Sequence, residues 1–236
     1  MGIAGYTTLS RQTGLMREMQ IVANNIANSA TNGYRQEGLI FSEFVDRAPD
    51  RTALSMTRAG ARNTSLQQGG LTQTNGTFDL ALEGPGFFML ETPTGNRLTR
   101  AGSFAPNPDG ELVNTSGYRL LDEGGSAVFV PQGTSPQIAA DGTLSADGRP
   151  IGQIGVYRPI TAHDITREDG VMFNAKGGVE PVENPKILQG FLEDSNVDPI
   201  SQMARMIEVQ RAYEMGQSFL EAEDERIRQA VKSLMR

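Results

Sequence analysis

Apolar residues recur at alternating intervals of four and three at both ends of the chain, and in short runs between them. Near the N-terminus the positions are Leu9, Gln12, Met16, Met19, Ala23, Ile26 and Ala30, with one polar exception. That spacing predicts a helix from about residue 4 to residue 31 with a thin seam of the coiled-coil type. Leu15 and Val22 widen the seam on one side, and Asn32-Gly33 reads as its stop, because both residues tolerate the left-handed conformation that ends helices. At the far end, Asp198 is a good N-cap and Pro199 a good first helical residue. The helix that follows runs to about residue 234. Its seam is Met206, Val209, Tyr213, Gly216, Leu220, Glu223, Ile227, Ala230 and Leu234.

Between the helices the pattern changes. Eleven of the 12 Pro and 22 of the 27 Gly fall within residues 36–195, and both residue types break helices. Phe78-Asp79-Leu80-Ala81-Leu82 alternates, Gly84-Pro85-Gly86 turns, and Phe87-Phe88-Met89-Leu90 reads as a buried strand. Asp109-Gly110, Asp141-Gly142 and Asp147-Gly148 separate further short strands, and Ile151 to Tyr157 is the longest late candidate. Leu39, Ile40, Phe41, Phe44 and Val45 fit a short strand or a helix end, and the polar stretch from Ala48 to Ser65 has no clear period.

The predicted architecture is α+β. Long N- and C-terminal helices pair as a coiled-coil stalk, and the middle is an antiparallel all-β domain, a sandwich or irregular barrel. The expected divisions are an N-terminal arm over 1–35, an extended connection over 36–65, a β domain over 66–195 and a C-terminal arm over 196–236. A seam this thin cannot support an isolated helix in water, so the arms are expected to order on assembly. The expected assembly residues are Leu9, Met16, Met19, Ala23, Asn25, Ile26 and Asn28 on the first arm. On the second they are Met206, Val209, Tyr213, Leu220, Ile227 and Leu234. The amides Asn24, Asn25, Asn28 and Asn32 either face water and cap the helix, or set register against neighbouring subunits.

Composition narrows the chemistry. A net charge of -7 weighs against a nucleic-acid partner. With no Cys there is no disulfide, thiolate ligand or Cys nucleophile. No run of about 18 apolar residues exists to span a membrane. Met1 to Tyr6 has neither the basic nor the apolar region of a cleaved secretory signal, so any route out of the cytoplasm is expected to do without one. The single His163 sits beside Asp164 in a loop, and no Gly-x-Ser-x-Gly elbow presents a nucleophile. Asp141 and Asp147 are better explained as turn residues than as metal ligands. Met89 stands where the third Gly of a dinucleotide fingerprint belongs. No enzyme activity, cofactor or metal is expected. A two-carboxylate glycan hydrolase is the hardest enzyme to set aside, because an acidic β domain always offers candidate pairs.

Several stretches together resemble the bacterial flagellar rod and hook protein family. They are Ala23-Asn24-Asn25-Ile26-Ala27-Asn28 ending in Thr31-Asn32-Gly33-Tyr34-Arg35; Gln68 to Thr74 with Phe78 to Phe88; Thr99 to Phe104 with Asp109 to Val113; and Gly190 to Val197 followed by Met206-Ile207 and Gln210 to Glu214. They occur in the family's order and reach both ends of the chain. The length is too great for the small rod subunits that lack a large middle domain and too short for a typical hook protein, while the opening Tyr6-Thr7-Thr8, and Ile138 to Ser145 with Ile151 to Gly155, resemble the proximal-rod members more than the distal-rod ones. The resemblance implies a structural subunit of the flagellar drive shaft in the periplasmic basal body. Its partners would be other flagellar rod subunits, copies of itself and the flagellar type III export apparatus. The terminal helices would form the inner tube and the β domain its outer layer.

Overall fold

The computed structural model describes residues 3–46, 54–161 and 164–235. The chain divides into two compact units. The first gathers Met1–Ala27, Glu37–Ser65 and Asp198–Arg236; the second gathers Asn28–Gln36 and Leu66–Val197.

In the first unit, helix α1 spans Ile3–Ala27 and helix α2 spans Pro199–Leu234. Asp198 caps α2: its side chain accepts a hydrogen bond from the Ile200 amide at 3.1 Å, and Pro199, which has no amide hydrogen to satisfy, follows at the first position. Lys232 in the last turn lies at the negative end of the helix dipole. Strands β1 (Glu37–Asp46) and β2 (Leu54–Thr64) pair antiparallel, from Glu37 opposite Thr64 to Asp46 opposite Leu54, with a register shift at Ile40/Phe41. Both strands of this hairpin pack on α1. Residues 47–53, within the stretch read as an extended connection, lie outside the described residues, as does His163.

The predicted coiled-coil stalk is not what this unit shows. Helix α1 is shared between α2 and the β-hairpin, so it has two neighbouring elements where a stalk would give it one. Its buried positions are Gln12, Gly14, Glu18, Ile21, Val22 and Asn25. From Glu18 onward these fall one residue before Met19, Ala23 and Ile26 of the predicted seam, a rotation of about 100° around the helix. Leu9 and Met16, the apolar core of the expected stalk, are 53% and 49% exposed. The physical reason is that Gln12, Glu18 and Asn25 each find a polar partner, so the covered face is chosen by hydrogen bonds and an ion pair as much as by apolar area. The helix also ends at Ala27. Residues 28–33 leave it as turns, with the Thr31 amide on the Asn28 carbonyl and the Tyr34 amide on that of Thr31, each at 3.1 Å.

The second unit is β throughout. All strand pairings among the described residues are antiparallel, including a nine-stranded sheet. Its central strand β5, Phe87–Thr92 as β3 is Leu71–Gln73 and β4 is Leu80–Leu82, carries an unbroken apolar run because both of its faces are covered. Phe88 and Leu90 join one cluster, with Leu80, Leu112, Leu120 and Ile154, all essentially fully buried. Phe87 and Met89 point the other way into a second cluster with Leu98 and Phe173. Asp147 and Gly148 have φ of 49° and 78°, the paired positive values of a two-residue hairpin turn, and join Ala146 directly to its partner Arg149.

Where the chain enters and leaves this unit, three charged side chains are buried together. Arg35 Nη2 lies 2.8 Å from Glu193 Oε1, and Arg100 Nη1 lies 3.0 Å from Glu193 Oε2; none of the three is more than 3% exposed. The Gly69 amide donates to Glu193 Oε1 at 3.0 Å, and Arg100 Nη2 donates to the Gly84 carbonyl at 2.6 Å. Burial pulls the Arg100 guanidinium down to about 10, against the opposing pull of Glu193. Arg167 stacks over the rings of Tyr34 and Phe173 at 4.2 and 4.8 Å and donates to the Arg35 carbonyl. Close backbone approach accompanies this cluster. A Cβ on Gly33, at φ +71°, would stand 2.2 Å from the Ala101 nitrogen. One on Gly69 would stand 2.0 Å from the Asp194 carbonyl oxygen.

Glu193→Gln leaves two buried guanidinium groups without a counter-charge. It should destabilise the β unit by about 3–5 kcal/mol. Denaturant unfolding followed by tyrosine fluorescence reads this directly, and a midpoint unchanged from wild type would remove the triad from the list of stabilising contacts.

Candidate assembly interface

The first unit holds all of the residues expected to assemble except Asn28. Asn25 lies at its centre, 1% exposed. Its Nδ2 donates to the Glu37 carbonyl at 2.8 Å and to Gln202 Oε1 at 3.1 Å, and its Oδ1 accepts from the Glu37 amide at 3.0 Å. One amide side chain therefore joins α1, β1 and α2. Further along the helices, Arg205 reaches Glu18 with Nε at 2.7 Å, and Gln12 Nε2 donates to the Tyr213 carbonyl at 2.8 Å. Gly216 makes room for Gln12, since a Cβ there would come within 2.4 Å of Gln12 Nε2. The Glu18 partner also holds the Arg205 guanidinium above its ordinary range, outweighing the effect of partial burial.

These contacts fix the register of α1 against α2, antiparallel, with residue 12 beside 213, 18 beside 205 and 25 beside 202. Gln12 stands in the predicted seam as its one polar member, but the sequence pattern gave no sign of Glu18, Gln202 or Arg205 as contact residues. The available signal was their recurrence on one face: 18 and 25, and 202 and 209, are each seven apart.

The expected assembly residues fall into three groups. Asn25 and Val209 are buried inside the unit. Met19, Ile26, Met206, Tyr213 and Leu220 are half-buried, as is Asn28, which belongs to the β unit. Leu9, Met16, Ala23, Ile227 and Leu234 are exposed. The structure adds exposed apolar residues that the seam pattern passed over: Ile200, Met203 and Ile207, and Met215 and Phe219. The last two border a groove of about 330 Å³ floored by Leu15, Ala212 and Gly216. Among the described residues, no helix is long and apolar enough to cross a membrane, and no three His, Asp or Glu side chains converge as a metal site would require.

Two stretches of the chain match family models. Residues 188–233 match the flagellar basal body rod FlgEFG protein C-terminal model, and residues 81–146 match the flagellar hook protein FlgE/F/G D1 domain. The chain belongs to the flagellar basal-body rod protein family. It is 37% identical to the flagellar basal-body rod protein FlgF of Caulobacter vibrioides, over 99% of this chain and 98% of that one. It is 32% identical to FlgF of Mesorhizobium japonicum, over 97% and 96%. FlgG of Bacillus subtilis is 27% identical over 96% and 97% of the two chains.

Asn25→Ala strands the Glu37 backbone groups and the Gln202 amide inside the unit. The expected cost is about 1–3 kcal/mol, seen as an earlier helical melt by circular dichroism. An unshifted melt would show that Asn25 does not tie the helices to the hairpin.

Proposed function

We propose that this chain is a structural subunit of the proximal section of the flagellar rod. It assembles helically with copies of itself and with other rod subunits, and the finished shaft transmits torque without a chemical step. The observation that carries the reading is the outward-facing apolar surface of the helical unit, with Leu9, Met16, Ile200, Met203, Ile207 and Leu234 each about half exposed or more. Scattered single apolar residues on a surface are ordinary; rows of them along both helices of one small unit mark an interaction surface. Family membership supplies the context, and the identity to FlgF chains over nearly the whole length favours the proximal over the distal rod.

The chain would leave the cytoplasm through the flagellar type III export apparatus without a cleaved signal and pack into the rod in the periplasm. Rod subunits in such an array make heterologous contacts, which close into rings or continue as helices. Torque is then shared among many small packed contacts.

A strain lacking this gene, complemented with Leu9→Asp/Met16→Asp, tests the reading. Placing two carboxylates on the exposed row of α1 should abolish swimming and leave basal bodies with short rods in electron micrographs. The purified variant should keep the thermal transition of its β unit. Normal swimming would sink the assembly role of that row.

A further inference from the structure

The β unit is closed by a short stretch near its C-terminal end. The strand Ile187–Gln189 pairs with β4, and the strand Phe191–Glu193 pairs with β3. Among the described residues β3 has no other strand partner, and neither closing strand belongs to the nine-stranded sheet. Gly190, at φ +78°, turns between them. Its carbonyl accepts from the Thr74 amide and its amide donates to the Asp79 carbonyl, each at 2.8 Å. Beyond the turn, the Asp194 amide donates to the Gly70 carbonyl at 2.8 Å. The Gln189 side chain adds a cross-tie: Nε2 donates to the Thr77 carbonyl at 2.8 Å, and Oε1 accepts from the Ile138 amide at 3.1 Å.

The same stretch holds the segment by which the chain enters the unit, residues 28–36. The Gly33 amide donates to the Glu193 carbonyl at 2.7 Å, and the Asn196 amide donates to that of Tyr34 at 3.2 Å. Asn196 Oδ1 accepts from the Gln36 amide at 2.6 Å, while its Nδ2 donates to the Gln67 carbonyl at 2.7 Å. Charge makes the dependence stronger than hydrogen bonds alone. Arg35 and Arg100 are buried side by side and meet in the carboxylate of Glu193. Without that carboxylate, docking residues 28–36 would bury two like charges together, which water solvates far better. Arg167 also reaches this segment, over the Tyr34 ring and onto the Arg35 carbonyl, but it brings a further positive charge and cannot stand in for Glu193. The sheet needs none of this. The cluster of Phe87, Met89, Leu98 and Phe173 holds no residue from either stretch.

We propose that residues 186–197 are a closing strap, which opens and shuts together with the entry segment 28–36 while the nine-stranded sheet stays formed. The strap is a catch at the point where the chain enters and leaves the β unit, and Glu193 is its bolt. It lies wholly within that unit and does not rest on the assembly reading above. Synthesis delivers residues 28–36 first of these parts and Glu193 last, so the entry segment stays undocked until the strap has been made. In the finished chain the two stretches form one small cooperative element, released at a lower cost than the sheet.

Amide hydrogen exchange of the full chain, resolved by mass spectrometry of its peptides, tests this. Peptides from 28–36 and 186–197 should exchange together, at least about tenfold faster than those of the strand Phe87–Thr92. Two changes then act on the strap without touching the entry segment. Gln189→Ala removes the cross-tie and should speed exchange in both stretches about tenfold. Gln73→Cys with Phe191→Cys places thiols on residues that face each other across β3 and the strap, in a chain with no other Cys. Facing residues of paired strands lie within disulfide reach, and oxidation should slow exchange in both stretches about tenfold or more, with recovery on reduction. If either change moves residues 186–197 and leaves 28–36 as before, the entry segment opens on its own and the strap proposal is overturned. It is equally overturned if both stretches exchange no faster than the sheet, since the unit would then open only as a whole.

Discussion

Glu193 is the constraint on which the β unit depends. A carboxylate buried to 1% exposure is costly unless its charge is met, and here two guanidinium groups meet it from different parts of the chain. Arg35 comes from the segment that follows α1, Arg100 from the residue just after the strand Gly95–Thr99, and Glu193 from the strand that leads toward α2. The incoming and outgoing strands of the chain are thus tied to the same body at one point. Phe191–Glu193 pairs with β3, and Gly33 donates to the Glu193 carbonyl at 2.7 Å, so backbone and side chain of this residue make the same connection. The glycines nearby follow from that density, because a side chain at 33 or 69 would collide with backbone that the triad draws in.

The helical unit uses a different physical strategy. Its internal contacts include amides and an ion pair, Asn25 with Gln202 and Glu37, Glu18 with Arg205, Gln12 with the Tyr213 carbonyl. Such groups contribute modestly to stability but strictly to register, because each has one good geometry. Much of the large apolar area is left outside. A unit arranged this way is specified by its polar contacts and is poorly satisfied alone, which suits a part whose remaining surface is completed by neighbours.

That division explains what the sequence could and could not show. The β body was legible because its short apolar runs, its Gly-bearing turns at 147–148 and its two-faced strand at 87–90 obey local rules. Helix α2 was legible from Asp198-Pro199 and a long period without a breaker other than Gly216. The face that α1 turns inward was not. A four-and-three apolar row identifies a surface that some partner will cover, but not whether the partner is in the same chain, and here Leu9, Met16 and Ala23 stay out while polar Glu18 and Asn25 go in. The Arg35–Glu193–Arg100 triad was hidden for a related reason: its members are far apart in sequence, and only tertiary closure makes them neighbours.

The distribution of apolar residues around α2 carries the last step. A surface helix keeps one apolar stripe and turns the rest to water. Helix α2 has Val209 on one face, Ile200 and Ile207 on the opposite one, and Met215 and Phe219 beside the groove between. A lone folded unit gains nothing from apolar rows on the sides that α1 does not cover, and suffers from them through non-specific association. They make physical sense where α2 is surrounded on most sides by other helices. In a closed dimer a single self-complementary patch would suffice, and the rest would remain wet. Rows at both ends and on opposing faces are what an open, repeating array of helices requires, because each copy must receive one neighbour and present itself to the next.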